Sequence, residues 1–488
     1  MNYTVHIADA IDHFVGIEAE IETLGLNPMY LQLPAWRPGR YELGNFAKNI
    51  RKFTVKNAAG KVIPFKKVSK DCWEIHVIQE PKVYVSYEYY ANQPDAGASF
   101  VGEQLLYLNP VNCFMYVDGR ANEAFTLHLH IPDNWQIACQ LPISGKTLQA
   151  QNFDHLADSP FFASPNLVHH SFGLNQTHIH FWFEGGQVND MPLLEEQTRQ
   201  YALAQTEIFG ELPVKDFHFL YLILPDKFRH GVEHADSTVI AMGPPTGFNE
   251  LDFYNDFLAI SSHELFHLWN IKRMRPVELL PYDFTKENYS RLGYIYEGIT
   301  TYYGDLMLLR SGVWDFETYA KSLASDLERH LNNLGRNHYS VADSSFDTWL
   351  DGYVPGVKGR KVSIYMEGLI AAWVADIEIL VRTNGRYRLD EVLKRMYAQS
   401  YKQGLGYTQE MYKNTLEAVA GTSFEVYFEE IIDGFGQWDK YIQKTLEYVG
   451  LELLVSENSA GVLLCQIKKK AQVLDSQKAL FEYWVKSV

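Results

Sequence analysis

The chain has 488 residues, with 43 Lys and Arg against 60 Asp and Glu for a formal net charge of −17, and it is 47% hydrophobic and 21% charged. This balance excludes long disorder and fibrous structure, and the length exceeds what one hydrophobic core organises, so about two to four structural units are expected. The acidic surface opposes nucleic acid and anionic lipid, no apolar run is long enough to span a membrane, and the opening MNYTVHIADAIDHF has neither the basic nor the apolar stretch of a signal peptide. No nucleic-acid partner, no membrane span and a cytoplasmic location are therefore the expectations.

From residue 2 to about residue 175, short runs such as YTVHIA, KFTVKN, CWEIHVI, VYVSYEYY, FTLHLHI and THIHFWF alternate at period two between turn residues. They predict an antiparallel, sandwich-like β domain over 1–178. Helical spacing follows over 185–212, then a strand at 217–224. From 250 onward helices are predicted at 250–272, 294–309, 315–333, 363–382, 389–402, 408–420 and 423–433, with Gly385 and Gly421 as stops. A catalytic unit over 179–335 and a helical domain over 336–449 result. Residues 450–488 return to strand-like alternation as a short tail. Cys72, Cys113, Cys139 and Cys465 form no C-x-x-C pair and suggest scattered core thiols.

The chemistry concentrates in His263-Glu264-Leu265-Phe266-His267, inside the apolar-periodic run FYNDFLAISSHELFHLW. Two histidines at i, i+4 stack on one helix face, where their nitrogens can meet one Zn²⁺, and Glu264 beside the first of them is placed as a base toward water rather than as a ligand. The pentapeptide alone also occurs on ordinary helix faces. What favours a metal site is the downstream helix opening with Tyr296-Glu297-Gly298-Ile299-Thr300, which supplies Glu297 as a third ligand. Three protein ligands with one open position is the pattern of a catalytic zinc, so one Zn²⁺ per chain and a hydrolytic reaction are predicted.

Six collinear segments then carry a resemblance: LPAWRPGRYELGNFAKNI (33–50), GVEHADST (231–238), HELFHLWNIKRMRP (263–276), YEGITTYYGDL (296–306), SSFDTWL (344–350) and SIYMEG (363–368). The chain resembles the glycyl aminopeptidase family of zinc peptidases, in the thermolysin-like group whose third ligand is a glutamate. The resemblance implies a multidomain α+β protein: the N-terminal β domain, a thermolysin-like α/β zinc catalytic domain and a C-terminal helical domain. It implies His263, His267 and Glu297 as zinc ligands, Glu264 as general base, Tyr365 as hydrogen-bond donor to the oxyanion, and Glu233, with Gly231 and Val232 before it, as the place where the substrate's free α-amino group binds. The expected partner is a peptide with a free N-terminus, and small first residues, glycine or alanine, are implied.

There are departures. Glu367 stands where the family usually has lysine, and His230-Gly231 where it usually has two glycines, so the shape of the first side-chain pocket is open. Many members carry a PDZ domain, for which 450–488 is too short. Two other readings stay beside this one: an endopeptidase or other amide hydrolase using the same zinc, and a binding protein without activity. Among weaker signals, His128 with His130 and His178 with His180 mark polar sheet faces or a second metal site, and Lys272, Arg273 and Arg275 suit a helix end.

Overall fold

The computed structural model describes residues 1–354 and 356–486, and the chain divides into two compact units. The first comprises 1–189, 214–254 and 283–287 and holds nearly all of the sheet structure. The second comprises 190–213, 255–282 and 288–488 and is mainly helical.

The first unit follows the period-two pattern. In Phe14–Glu22 the residues Val15, Ile17, Ala19 and Ile21 point into the core, and in Lys82–Tyr90 Val83, Val85, Tyr87 and Tyr89 do the same. These strands lie in a seven-stranded sheet that is antiparallel except where Asn2–Asp9 pairs in parallel with Phe125–His130. Two buried phenols tie it to the chain beneath: Tyr3 donates to the carbonyl of Met115 at 2.6 Å and Tyr87 to that of Cys113 at 2.7 Å. Two four-stranded sheets and one five-stranded sheet complete the unit.

The five-stranded sheet carries Glu233. Its three inner strands, Thr177–Glu184, Asp216–Ile223 and Ser237–Gly243, run parallel, and the outer strands Val168–Leu174 and Phe228–Glu233 run antiparallel to them. Parallel strands buried on both faces need near-continuous apolar sequence, which STVIAMG supplies with every residue buried. Leu220, Leu222, Val232, Val239 and Ala241 from this sheet form one core cluster with Tyr107, Ala138 and Phe162 from the four-stranded sheet beside it.

In the second unit the helix Met191–Phe209 starts where Asp190 accepts the amide of Leu193 and stops at Gly210, whose φ of 83° closes the C-terminus. The helix Met366–Arg382 is apolar nearly all round and lies buried from Gly368 through Ile377. One charge cluster is sealed beside it. Arg310 forms an ion pair with Asp390 at 2.9 Å and stands 3.5 Å from Asp376, Tyr302 donates to Asp376 at 2.6 Å, and Tyr303 donates to Asp390 at 2.6 Å. Residues after Gly450 form a hairpin, Leu451–Glu457 with Leu463–Lys469, and a helix, Asp475–Val485. Arg310 Nε holds the carbonyl of Trp484 in that helix. Among the described residues no helix is long and apolar enough to cross a membrane.

Candidate active site

Two segments of the second unit carry the metal-type side chains. Phe257, Leu258, Leu265 and Phe266 bury one stripe of the helix Leu251–Phe266 and so fix which face His263 presents. The predicted helix ran to residue 272, but it ends at Phe266. Beyond it the chain winds tightly, Asn270 donating its amide to the carbonyl of Phe266 at 3.1 Å, and Ile271 takes a φ of 96°, a strained value for a buried β-branched residue. The gain from that strain is visible at His267. Its Nδ1 lies 2.9 Å from the carbonyl of Asn270, and because a carbonyl only accepts, the ring proton sits on Nδ1 and the lone pair on Nε2, the tautomer that metal ligation through Nε2 requires.

Glu297 comes from the segment Tyr294–Ile299, wound as a π-helical turn ahead of the regular helix Thr300–Arg310. A single π turn inserted before a helix re-aims its side chains and often marks a functional site. Asn270 joins this turn to the histidine segment, its Nδ2 donating to the carbonyl of Ile295 at 2.9 Å and to Oγ1 of Thr300 at 3.0 Å. Gly304 brings the two helices close: a Cβ there would stand 3.1 Å from Cα and Cβ of His263. Ser262 hydroxyl donates to the Gly304 carbonyl at 2.6 Å, and Gln205 donates to the Ser262 carbonyl at 2.9 Å.

These contacts bring three of the residues singled out in the sequence together. Nε2 of His263 and of His267 are 3.1 Å apart, and Oε2 of Glu297 is 3.8 Å from the first and 3.3 Å from the second. One ligand atom from each of the three lies within 4.8 Å of the others. Two imidazole nitrogens and one carboxylate oxygen, facing a common point with a fixed tautomer behind one of them, fit a Zn²⁺ ion at bond lengths of about 2.0–2.2 Å. Glu264 is buried on the same helix, next in the chain to His263.

Tyr365 stands half-buried at the entry to the helix Met366–Arg382, in a turn closed by the amide of Glu367 on the carbonyl of Ser363 at 3.0 Å. Gly298, the residue after Glu297, meets Gly368 backbone to backbone, and a Cβ built on Gly298 would stand 2.3 Å from Gly368 Cα. Glycines at both positions are what allow the tyrosine turn and the Glu297 turn to touch.

In the first unit, Glu233 ends the outer strand Phe228–Glu233. The side chain of Val232 points the other way into the core cluster, so only its backbone and that of Gly231 lie along the Glu233 face. Glu233 is 4% exposed, and its Oε1 makes no hydrogen bond. Gly39, at φ +77°, faces its carboxylate so closely that a Cβ there would be 2.6 Å from Oε2. His230, in the place of a usual glycine, is 3.8 Å from Asp95, and burial with the nearby Arg37 charge lowers its pKa to about 4.

The weaker candidates stand apart. His128 contacts Thr147 at 3.1 Å; His180 lies between Asp216 at 3.1 Å and His169 at 3.0 Å. Neither pair belongs to a cluster of three or more metal-type groups among the described residues. Lys272 is buried past the helix end and the Arg275 guanidinium lies 3.9 Å over the Tyr282 ring, which makes them parts of the packed turn. The roles of Asn270, Gly304 and the Gly298–Gly368 contact were not read from sequence, although the two glycines beside Glu297 and Glu367 were a signal of close helix approach.

Comparison with known proteins gives the context. The Peptidase M61 N-terminal domain model matches residues 2–165 and the M61 glycyl aminopeptidase model matches 256–371, together more than half of the chain. No curated protein matches it. An aminopeptidase N family protein from Idiomarina loihiensis superposes with a TM-score of 0.88 at 24% identity, covering 97% of this chain and 82% of that one. An M1 zinc metallopeptidase from Deinococcus radiodurans, in a mutant bound to a Tyr-Ser-Ala substrate, gives 0.54 at 14% identity over 89% and 94% of the two chains. The shared architecture is multidomain α+β: a β-rich N-terminal domain, an M1 peptidase-like catalytic region and a C-terminal helical domain. The second family match takes in both histidines of the 3.1 Å pair and Glu297, and the chain belongs to the M61 glycyl aminopeptidase family of zinc metallo-aminopeptidases.

Proposed function

We propose that the chain releases the N-terminal residue, glycine or alanine by preference, from peptides with a free N-terminus, using one zinc ion held by His263, His267 and Glu297. The observation that carries this reading is the convergence of those three ligand atoms within 4.8 Å of one another. When bound, zinc supplies Lewis acidity, acidifying water and polarising the scissile carbonyl.

The protein's own residues then divide the work. Glu264 takes a proton from the attacking water and delivers it to the leaving nitrogen, so a single carboxylate closes the proton count. Tyr365 donates its phenolic hydrogen to the oxygen that becomes negative as the carbonyl turns tetrahedral, an interaction stronger in the transition state than in the substrate. Glu233 pairs with the substrate's ammonium group through a carboxylate that the fold leaves partly unpaired. Selection for chain ends follows, because a blocked amine brings no positive charge to that anion. The expected result is hydrolysis of glycyl and alanyl reporter amides that stops on chelation, returns with about one equivalent of zinc, and is absent for the N-acetylated forms. Full activity without zinc, or equal cleavage of acetylated substrate, contradicts the proposal.

A further inference from the structure

Glu367 is almost fully buried, two residues after Tyr365, yet it serves no metal and lies at the start of an apolar helix. An ionised carboxylate in such a place is costly unless its oxygens are occupied. Both are. Oε2 accepts the backbone N–H of Ser363 at 3.0 Å and Oε1 faces Nδ1 of His330 at 3.1 Å. The same residue's amide donates to the Ser363 carbonyl at 3.0 Å, so the turn 363–367 is closed twice, once by main chain and once by side chain. Tyr365 is its middle residue.

His330 comes from the last turn of the helix Phe316–Asn332 and is fully buried, its ring 5.6 Å from that of Trp438. Its Nε2 makes no hydrogen bond, so the imidazole's polar contact is directed at Glu367. On the opposite side, the Gly298–Gly368 backbone contact presses the turn against the segment that carries Glu297. The turn is thus held from two directions by elements that do not touch substrate in the proposed reaction.

We infer that Glu367 and His330 are a positioning pair for Tyr365, holding its backbone so that the phenol meets the developing oxyanion. This rests on the reading that Tyr365 is the oxyanion donor. The physical need is geometric: an oxyanion donor acts only within hydrogen-bond distance of an atom that moves during the reaction, and a side chain on a loose turn loses that advantage in the chemical step before it loses substrate affinity.

The test is a set of steady-state kinetics on a free-amine glycyl or alanyl reporter with zinc-loaded protein, for wild type, Tyr365→Phe, Glu367→Gln, His330→Gln and the double variants that add Tyr365→Phe to each. Zinc content and the thermal midpoint are measured for every variant. Glu367→Gln keeps an oxygen for the Ser363 amide and the volume of the site, so it keeps the fold where Glu367→Ala does not. Each of Glu367→Gln and His330→Gln should lower kcat by roughly 5- to 50-fold with KM within about 2-fold, and neither should lower it further once Tyr365 is phenylalanine. If the two losses multiply in the double variants, or fall on KM instead of kcat, the pair does not act through Tyr365 and the inference is overturned. If Tyr365→Phe alone leaves kcat intact, the reading of Tyr365 itself fails, a result distinguishable from failure of the positioning pair because no double variant is needed to see it.

Discussion

Two buried carboxylates, one in each unit, are treated in opposite ways. Asp376 in the second unit has Tyr302 on one oxygen and the Leu389 amide on the other at 2.7 Å, with the Arg310 guanidinium beside it. Glu233 in the first unit ends a strand with one oxygen bare and a glycine facing the carboxylate. Burial raises the pKa of Asp376, and the Arg310 charge works against that rise. A fold that occupies every oxygen of a buried acid is using the acid to hold itself together. A buried acid oxygen left bare, as Oε1 of Glu233 is, costs about 1–3 kcal/mol, and the proposed pairing with an ammonium group would supply the missing donor.

Replacing carboxylates one at a time tests that distinction. The largest effect is expected at Glu264: Glu264→Gln should retain zinc and fold while kcat falls by about 10³-fold or more, because an amide cannot take the proton of the attacking water. Near wild-type turnover would remove Glu264 from that role. Asp376→Ala should cost roughly 2–5 kcal/mol of stability by leaving the Tyr302 hydroxyl and the Leu389 amide without an acceptor and Arg310 with Asp390 alone, yet leave turnover per folded, zinc-loaded molecule within about 2-fold. Denaturant unfolding together with active-site titration measures both, and a large kcat loss would mean that the sealed cluster is not merely structural. Gly298→Ala, which drives a methyl into Gly368 Cα, should cost about 1–3 kcal/mol and reduce kcat through displacement of both Glu297 and Tyr365. The smallest effect has the most telling sign. Glu233→Gln should stabilise the zinc-loaded, substrate-free protein by up to about 1 kcal/mol, since removing a buried carboxylate with an unsatisfied oxygen relieves the fold even as it harms function.

Some of this was legible in the sequence because it is local. His263 and Glu264 lie in the last turn of the helix Leu251–Phe266 and His267 follows it directly, its amide still on the His263 carbonyl at 3.3 Å, so the i, i+4 spacing already brings the two imidazoles together. The strand read at 217–224 is Asp216–Ile223 and the helix read at 408–420 is Gln409–Ala420, both marked by strong periodicity and, for the helix, by Thr408 capping and Gly421 at φ 68°. What was not legible depends on partners far along the chain. The helix read to residue 272 ends at Phe266, in a winding that turns the Asn270 carbonyl onto His267, while the Asn270 side chain binds Ile295 and Thr300. The π turn at Tyr294–Ile299 adds one residue per turn without disturbing an already apolar pattern. His330 meets Glu367 and Gly298 meets Gly368 through packing alone. The final helix, Asp475–Val485, was missed because only Gln477 and Trp484 in it are buried, too few to produce a helical stripe.

The role proposed for Glu233 is to read a positively charged chain end. It is tested most directly by the ratio of kcat/KM for a free-amine peptide to that for its N-acetylated form, in wild type and in Glu233→Ala, with zinc content measured in both. A large ratio in wild type is predicted to shrink by about 10²-fold in the variant, almost all of the change falling on the free-amine substrate, because a buried partner charge contributes roughly 2–5 kcal/mol. A ratio unchanged by the substitution, in protein that still holds its zinc, would contradict the account and place recognition of the amine elsewhere.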